Sequence, residues 1–408
     1  MKKITAVLSV AFFAGLIAFF VWSRDSRIVP PVRAGHYWTG NINDTWFIAY
    51  VTSEERGRQR ALRPGRNSSY TTDHYNRYRV TVRKLPDGAV ASEVLLGDVL
   101  RNQNRPAPQI VGVVGDVLWI WDGALVARSL PGLTIRFNEE ALRQTQPANA
   151  DLIPREAKQF KVLASPAGLL MRGRDARFYL INPENFALTP VPATDLPKTS
   201  SSTRAENWFD FITTPAEGRS MTSPYNQMTR ILLDKEGTWL GLLSDSERGE
   251  LSKWVARENR PSGDVARSLY STTYTRDDRY AIIDPKTVRR MGETSYLQGG
   301  FILRHGWTPW QMREPDSALV LSKRRLGAAE PWEVTRLGYD GQSAWTTDTG
   351  LVEPDEFLDV GPYLLIAGTP PISAPARSHE RSMEKVLWLD ERTGAKTTLQ
   401  VSTGEVVQ

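Results

Sequence analysis

The chain of 408 residues contains no cysteine and only four histidines. The absence of cysteine excludes disulfides, cysteine-ligated zinc, iron–sulfur clusters, thiol catalysis and a lipid anchor on an N-terminal cysteine. It does not fix the compartment, because an oxidising compartment permits disulfides without requiring them. The histidines are far apart in the sequence, at positions 36, 74, 305 and 379. We therefore predict neither a metal site nor a cofactor.

The common catalytic signatures are also missing. The sequence has no phosphate-binding G-x-x-x-x-G-K-[ST], no H-E-x-x-H, no G-x-S-x-G and no EF-hand loop. A glycosidase or lyase remains an alternative, because acid pairs assembled from distant parts of a chain leave no linear trace. Nothing among the 46 acidic residues selects such a pair, so catalytic residues are unknown and a binding protein is favoured over an enzyme.

An apolar run from Ile4 to Trp22 follows the leader Met1-Lys2-Lys3. As a helix rising ~1.5 Å per residue, it matches a hydrocarbon core of ~30 Å. A cleaved signal peptide would have a shorter apolar region and a small-residue cleavage site, whereas this run ends in Phe19-Phe20-Val21-Trp22. The sequence predicts a retained single-pass anchor within residues 1–27, followed by a short stiff linker, 28–36, that contains Pro30-Pro31.

The short basic leader favours an N-terminus inside the cell, although arginines also follow the apolar run. That orientation predicts an inner (cell) membrane protein whose C-terminal domain, residues 37–408, is periplasmic or otherwise extracytoplasmic.

No stretch after residue 35 shows sustained helical periodicity. Instead, short apolar strands flank tight turns at Gly88, Gly132, Pro183, Gly237, Pro285, Gly341 and Gly394. These seven turns recur about every fifty residues, a period typical of one four-stranded antiparallel sheet per unit. Such sheets bury both faces by stacking in a ring, which leaves only short edges. The fold class predicted for residues 37–408 is all-β: a seven-bladed β-propeller, with six or eight as neighbouring counts.

Several turns are similar to those of known propellers. The sequences Asp234-Lys-Glu-Gly237-Thr238-Trp239 and Asp340-Gly341-Gln-Ser-Ala-Trp345 resemble the turns of Asp-box and sensor-type propellers. Leu389-Asp390-Glu-Arg-Thr-Gly394 is similar to the turns of quinoprotein-like propellers. The resemblance implies an architecture and carries over no active site. Two segments break the β pattern and predict connector helices, one beginning at Asn138 and one over residues 246–258.

One candidate binding site is aromatic. Arg304, His305, Trp307 and Trp310 lie within one short segment, where two tryptophans beside cationic groups would form a stacking platform for a sugar or a peptide. The alternative is a propeller strand, Phe301–Arg304, whose loop tryptophans cover the edge of the core. The remaining tryptophans, including Trp119, Trp121, Trp239, Trp345 and Trp388, alternate with apolar residues and are predicted to lie in the core.

A second candidate site is a basic patch. Residues 54–84 contain nine basic and three acidic side chains, so this segment alone carries a net charge of +6, whereas the whole chain carries +5. Its first half includes Arg56, Arg58, Arg60, Arg63 and Arg66. Anionic lipid headgroups, envelope polyanions or an acidic protein would suit such a patch. The alternative is a loop kept soluble by its charge. The predicted anchor argues against nucleic acid as the partner.

Together these features predict a membrane-anchored binding or scaffolding module for an envelope protein or a surface polymer. A carbohydrate-active enzyme of the envelope and a small-ligand sensor are the alternatives.

Overall fold

The computed structural model describes residues 25–27, 29–61, 70–100, 106–164, 166–192, 195–196, 228–229, 231–233, 237–244, 247–248, 266–276, 281–303, 317–325, 327–338, 340–371 and 384–408. Within these ranges the chain is all-β, with five antiparallel sheets and two short α-helices. It divides into two compact units, residues 1–85 with 89–219 and residues 86–88 with 220–408. No helix of the described ranges is long and apolar enough to cross a membrane. The predicted anchor, Ile4 to Trp22, lies outside those ranges.

The first sheet is built on two unusually long strands. Its strands are β1 (Asp25–Arg27), β2 (Val32–Arg33), β3 (Trp38–Ile42), β4 (Thr45–Ala61), β5 (Tyr70–Lys84) and β6 (Val90–Leu100). The three short strands all pair with β4, which pairs with β5, which pairs with β6. At 17 and 15 residues, β4 and β5 far exceed the usual strand length of about 5–6 residues.

The segment predicted as a linker, residues 28–36, follows the edge of β4. The amides of Val29 and Ala34 donate to the carbonyls of Glu55 and Val51 at 3.4 and 2.8 Å. Between them, β2 pairs with residues 52 and 53. The described part of this segment is therefore hydrogen-bonded into the first sheet.

Two four-stranded sheets complete the described part of the first unit. The second sheet contains β7 (Gln109–Val114), β8 (Val117–Trp121), β9 (Leu125–Ser129) and β10 (Ile135–Asn138) in chain order. Helices α1 (Glu139–Thr145) and α2 (Pro147–Leu152) and a 3₁₀ turn (Ala157–Gln159) follow. The third sheet contains β11 (Phe160–Ala164), β12 (Ala167–Arg172), β13 (Phe178–Ile181) and β14 (Leu188–Val191), also in chain order.

Helix α1 confirms the connector helix predicted at Asn138. The side chain of Asn138 accepts a hydrogen bond of 2.6 Å from the amide of Ala141, which satisfies one of the free donors at the helix start. Of the other predicted helix, residues 246–258, the structure describes two helical residues, Glu247 and Arg248.

The three sheets of the first unit stack face to face. The first and second share a core of Phe47, Ala49, Val51, Val80, Val82, Ile110, Val113, Leu118 and Ile120. The second and third share a core of Val111, Trp119, Trp121, Leu125, Phe160, Val162, Leu169 and Met171. Because the second sheet lies between two others, β8 is buried at all five positions and shows no alternation of polar residues. A Cβ on Gly112 would overlap the Val162 side chain, so glycine allows these two sheets to approach closely.

The described part of the second unit contains two sheets. The fourth sheet comprises β15 (Met228–Thr229), β16 (Ile231–Leu233), β17 (Thr238–Leu243), β18 (Arg267–Arg276), β19 (Ala281–Ile283), β20 (Arg289–Leu303), β21 (Ser317–Lys323), β22 (Trp332–Gly338) and β23 (Ser343–Asp348), with a 3₁₀ turn at Pro285–Thr287. The fifth comprises β24 (Glu353–Val360), β25 (Tyr363–Thr369), β26 (Lys385–Asp390), β27 (Lys396–Gln400) and β28 (Glu405–Val407).

Strand β20 divides the nine-stranded sheet into two layers. Its first half pairs with β18 and its second half pairs with β21. Residues of β17 and β18 consequently share a core with residues of β20, β21 and β22, namely Leu240, Leu242, Leu269, Ile302, Ala318, Val320 and Leu337. The second layer packs in turn on the fifth sheet through Leu319, Leu321, Val334, Phe357, Leu364, Ile366, Leu387 and Leu389. The second unit therefore also has three stacked layers.

All seven predicted turns connect consecutive strands. Five of them join the third strand of a layer to the fourth, when the first layer is counted from β3 to β6. The other two lie in one layer, where Gly237 joins β16 to β17 and Pro285 joins β19 to β20. Gly88, Gly237, Gly341 and Gly394 have positive φ angles of 70°, 93°, 84° and 73°. Six of the turn sequences therefore located hairpins, whereas the turn at Pro285 joins two strands that both pair with β18.

The predicted tryptophan core is largely confirmed. Trp119, Trp121, Trp239 and Trp388 are at most 3% exposed. Trp345 is partly buried, and its indole nitrogen donates to the carbonyl of Glu391 at 3.1 Å.

Candidate functional site

The first sheet has a polar face on which ion pairs cross from strand to strand. Directly opposed residues of antiparallel strands share a face, and Arg77 of β5 lies opposite Asp98 of β6. Its guanidinium donates to both carboxylate oxygens of Asp98, at 2.9 and 3.1 Å. Arg79 donates to Glu93 at 2.6 Å, and the Thr81 hydroxyl donates to the same carboxylate at 3.2 Å. Two arginines of the predicted basic patch therefore have acidic partners supplied by β6.

A buried tyrosine continues this polar face. Tyr50 is 3% exposed, and its phenolic oxygen accepts a hydrogen bond of 2.9 Å from Nε of Arg83, which is 5% exposed. The Tyr37 ring lies 5.4 Å from the Tyr50 ring, and the guanidinium of Arg33 lies 4.9 Å from the Tyr37 ring. Burial raises the pKa of Tyr50, and the positive charge of Arg83 offsets part of that rise. A hydrogen bond from the charged guanidinium of Arg83 to the neutral phenol of Tyr50 therefore links the two side chains.

Replacing Tyr50 by phenylalanine is expected to lower the stability of the chain by about 2 kcal/mol at neutral pH, because Arg83 loses a buried acceptor. A raised pKa in the folded state stabilises the fold below the unfolded pKa of about 10, and that contribution is lost as pH rises through the folded pKa. The difference between parent and Tyr50→Phe should therefore shrink from pH ~7 to pH ~11. Urea unfolding of the full chain measures both values. If the difference in unfolding free energy between the parent and Tyr50→Phe were equal at the two pH values, the raised pKa of Tyr50 would be contradicted.

The far half of the β4–β5 hairpin, together with β1, forms the arginine arm. We define the arm as residues 25–27, 56–61 and 70–75, all paired in register. Arg56, Arg58 and Arg60 occupy alternate positions of β4. The arm contains four arginines and two aspartates, a net charge of +2. The rest of the described sheet, residues 29–55, 76–84 and 90–100, has five basic and five acidic residues and is neutral.

The predicted basic patch is thus divided by the structure. Arg56 lies in the arm, with its guanidinium 3.2 Å from the Glu54 carboxylate. Arg58 and Arg60 belong to β4 by their backbone, whereas Arg63 and Arg66 lie outside the described residues. Arg27 of β1 is directly opposite Arg56 in the strand register.

The predicted aromatic site, Arg304, His305, Trp307 and Trp310, lies outside the described residues. The strand that leads to it is present, since Phe301 to Leu303 end β20. The Phe301 ring lies 5.7 Å from the ring of Trp332, and the ammonium of Lys323 lies 5.2 Å from that same ring. The stacking platform therefore stays a prediction.

An ion pair between a buried arginine and a partly exposed glutamate of the second unit was not predicted. Arg267, whose side chain is 0% exposed, donates to both carboxylate oxygens of Glu247 at 3.0 Å. The same carboxylate accepts the Ser244 amide at 2.9 Å, and the Ser244 hydroxyl accepts the Glu247 amide at 3.3 Å. This reciprocal pair is a capping box, which the S-x-x-E spacing of the sequence would have indicated.

Within the described ranges, no three histidine, aspartate or glutamate side chains form a group that could hold a metal ion. No model of a known protein family and no curated protein matches the chain.

Proposed function

We propose that the chain is a membrane-anchored, extracytoplasmic β-propeller that serves as a binding or scaffolding module for another envelope protein or a surface polymer. The observation that carries this proposal is the position of β1. Its first residue, Asp25, follows the end of the predicted anchor by three residues and pairs with Arg58 of β4. The sheet thus begins where the predicted membrane segment ends.

The short, hydrogen-bonded connection between the predicted anchor and the first sheet suits a scaffold. Residues 25–27 and 32–33 pair with β4, and the amides of Val29 and Ala34 add further hydrogen bonds to it. A domain attached in this way is held at a nearly constant height and orientation above the bilayer, because little unpaired chain separates them. A fixed height lets one surface of the domain meet a partner in the same membrane or in the layer above it.

The stacked layers support the propeller. The described part of each unit contains three antiparallel layers, and five predicted turns occupy the same connection within their layers. Layers of this kind bury both faces when they continue round a ring, and their exposed edges are then short. Among the blade counts considered, six fits the described layers better than seven.

The absence of native cysteine provides a direct test of the orientation. A cysteine in place of the exposed Thr403 is expected to react with a membrane-impermeant maleimide on intact cells or spheroplasts, because residues 25–408 are proposed to lie outside the cytoplasm. As the matched control, a cysteine inserted directly after Met1 should react only after the membrane is permeabilised. The reverse pattern would refute the proposed topology.

The scaffolding role is tested on the same labelled protein. After extraction in mild detergent, light scattering should give a protein mass well above the 45.8 kDa of one chain, because a bound partner leaves the membrane with it. A particle that always contains a single chain and no polymer would contradict the scaffold, whatever the topology.

A further inference from the structure

Burial between the first and second sheets falls from their middle strands to their edge strands. In the middle, Val80 of β5 and Leu118 of β8 are 0% exposed and belong to the core that the two sheets share. At the edge of the first sheet, Val94 and Leu96 of β6 pack on that core but are only partly buried. Ile135 of β10, at the edge of the second sheet, is 55% exposed. The space between the two sheets is therefore open to solvent along this side, as a groove with apolar walls.

Arg128 of β9 lies on the groove side of the second sheet. It is directly opposite Leu118 on one side and Ile135 on the other. Directly opposed residues share a face, and Leu118 packs on the first sheet. The guanidinium Nη1 of Arg128 donates to the carbonyl of Leu133 at 2.8 Å, and the Leu133 side chain belongs to the same core. The charged group is thus placed at the floor of the groove.

Arg128 has no carboxylate partner among the described residues. Its hydrogen bond there is the one to the Leu133 carbonyl, and its Nε is buried without an acceptor. Burial lowers the pKa of Arg128, and an acid beside the guanidinium would oppose that shift. Arg136, in contrast, donates to both carboxylate oxygens of Asp116 at 2.9 Å. A partly desolvated cation without an acid costs free energy that a bound carboxylate would recover.

The groove is bordered by a strand edge. Among the described strands, β10 pairs with β9 alone, so one backbone edge of β10 has no neighbouring strand. An extended peptide can add to such an edge through its own backbone hydrogen bonds. Alternate side chains of the added peptide point the same way. An acidic residue and an apolar residue two positions apart would therefore face the groove together.

We propose that this groove, lined by Val94, Leu96, Arg128 and Ile135, binds an extended segment of a partner protein that carries a carboxylate two residues from an apolar side chain. The carboxylate bonds the Arg128 guanidinium, and the apolar side chain covers Ile135. The proposal gives the chemistry of the partner, and it rests on the binding role proposed above but not on the membrane anchor.

The test starts from random heptapeptides displayed on phage and selected on the full chain. The enriched peptides should carry an aspartate or glutamate two positions from an apolar residue. One of them is then synthesised with blocked ends, beside a copy in which the uncharged amide replaces the acid. Loss of the acid should weaken binding about 30-fold, because a charge-assisted hydrogen bond is lost. A selection that yields no peptide of this pattern would overturn the proposal.

Substitutions in the groove locate the bound peptide. Arg128→Gln should weaken the acidic peptide about 30-fold and leave the amide peptide unchanged, which is the signature of a direct pair. The matched control, Arg136→Gln, removes a cation from the same edge strand and should leave both affinities unchanged, because Asp116 already holds that guanidinium. Equal weakening of both peptides by Arg128→Gln would overturn carboxylate recognition.

A second variant keeps the test valid if Arg128→Gln does not fold. Ile135→Ser changes an exposed side chain and should weaken both peptides about tenfold through lost apolar contact. Unchanged affinity in this variant would overturn the groove. Without peptide, light scattering should give the same mass for the parent and for Ile135→Ser. A dimer that Ile135→Ser abolishes would also overturn the proposal, because a second copy of the chain would then occupy the groove.

Particles extracted from membranes separate failure of the groove from failure of the scaffold. If a particle holds a single chain while the peptides bind as expected, the scaffold fails and the groove stands. If the particle is heavier than one chain both in the parent and in Ile135→Ser, and no peptide binds, the groove fails and the scaffold stands.

Discussion

Alanine in place of Glu247 is expected to destabilise the chain by about 3–5 kcal/mol, because it leaves a buried guanidinium without its carboxylate. Arg267 has no exposed side-chain surface, and both of its bonds to an acid go to Glu247. The substitution also removes the acceptor of the Ser244 amide. Urea unfolding of the solubilised full chain, followed by tryptophan fluorescence, measures the loss.

A second substitution distinguishes charge burial from a general loss of packing. The double variant Glu247→Ala/Arg267→Met removes the buried charge together with its partner, so it should recover most of the stability that Glu247→Ala loses. Methionine keeps much of the apolar length of the arginine side chain. A double variant less stable than Glu247→Ala would show that Arg267 contributes through packing and not through its charge.

Alanine in place of Trp388 is expected to cost about 3–5 kcal/mol for the lost side chain. This residue is 1% exposed in β26, and its indole nitrogen donates to the carbonyl of Pro86 at 2.6 Å within the second unit. Loss of the donor leaves that carbonyl without this partner and adds about 1–3 kcal/mol. The thermal unfolding midpoint and the urea midpoint of the second unit should both fall.

Trp119 offers a matched comparison in the first unit. It is 0% exposed and packs against Phe137 and Phe186, but its indole nitrogen has no acceptor among the described residues. Phenylalanine at either position removes a similar volume, so the difference between the two variants reports the hydrogen bond. Trp388→Phe is expected to cost about 2 kcal/mol more than Trp119→Phe. Equal costs would show that the hydrogen bond from Trp388 to Pro86 does not add to the stability of the fold.

The division of the basic patch explains why sequence reasoning predicted only part of the candidate site. The cluster of arginines between residues 54 and 84 is plain in the sequence, but the acids that neutralise Arg77 and Arg79 lie on β6. Strand register decides such partners, and register depends on which faces are buried. The turn sequences met the same difficulty, because a turn sequence identifies a hairpin and not its place within a layer.

The sequence alone determined that the chain is all-β, where its hairpin turns lie and which tryptophans fill the core, because turn chemistry and large apolar side chains act locally. The tertiary structure decided which strands pair and which charges are neutralised. It alone placed Arg27 opposite Arg56 and Arg267 against Glu247. Those pairs join residues 20 or more positions apart, and long-range strand pairing and burial, unlike a turn, leave no local pattern from which to predict them.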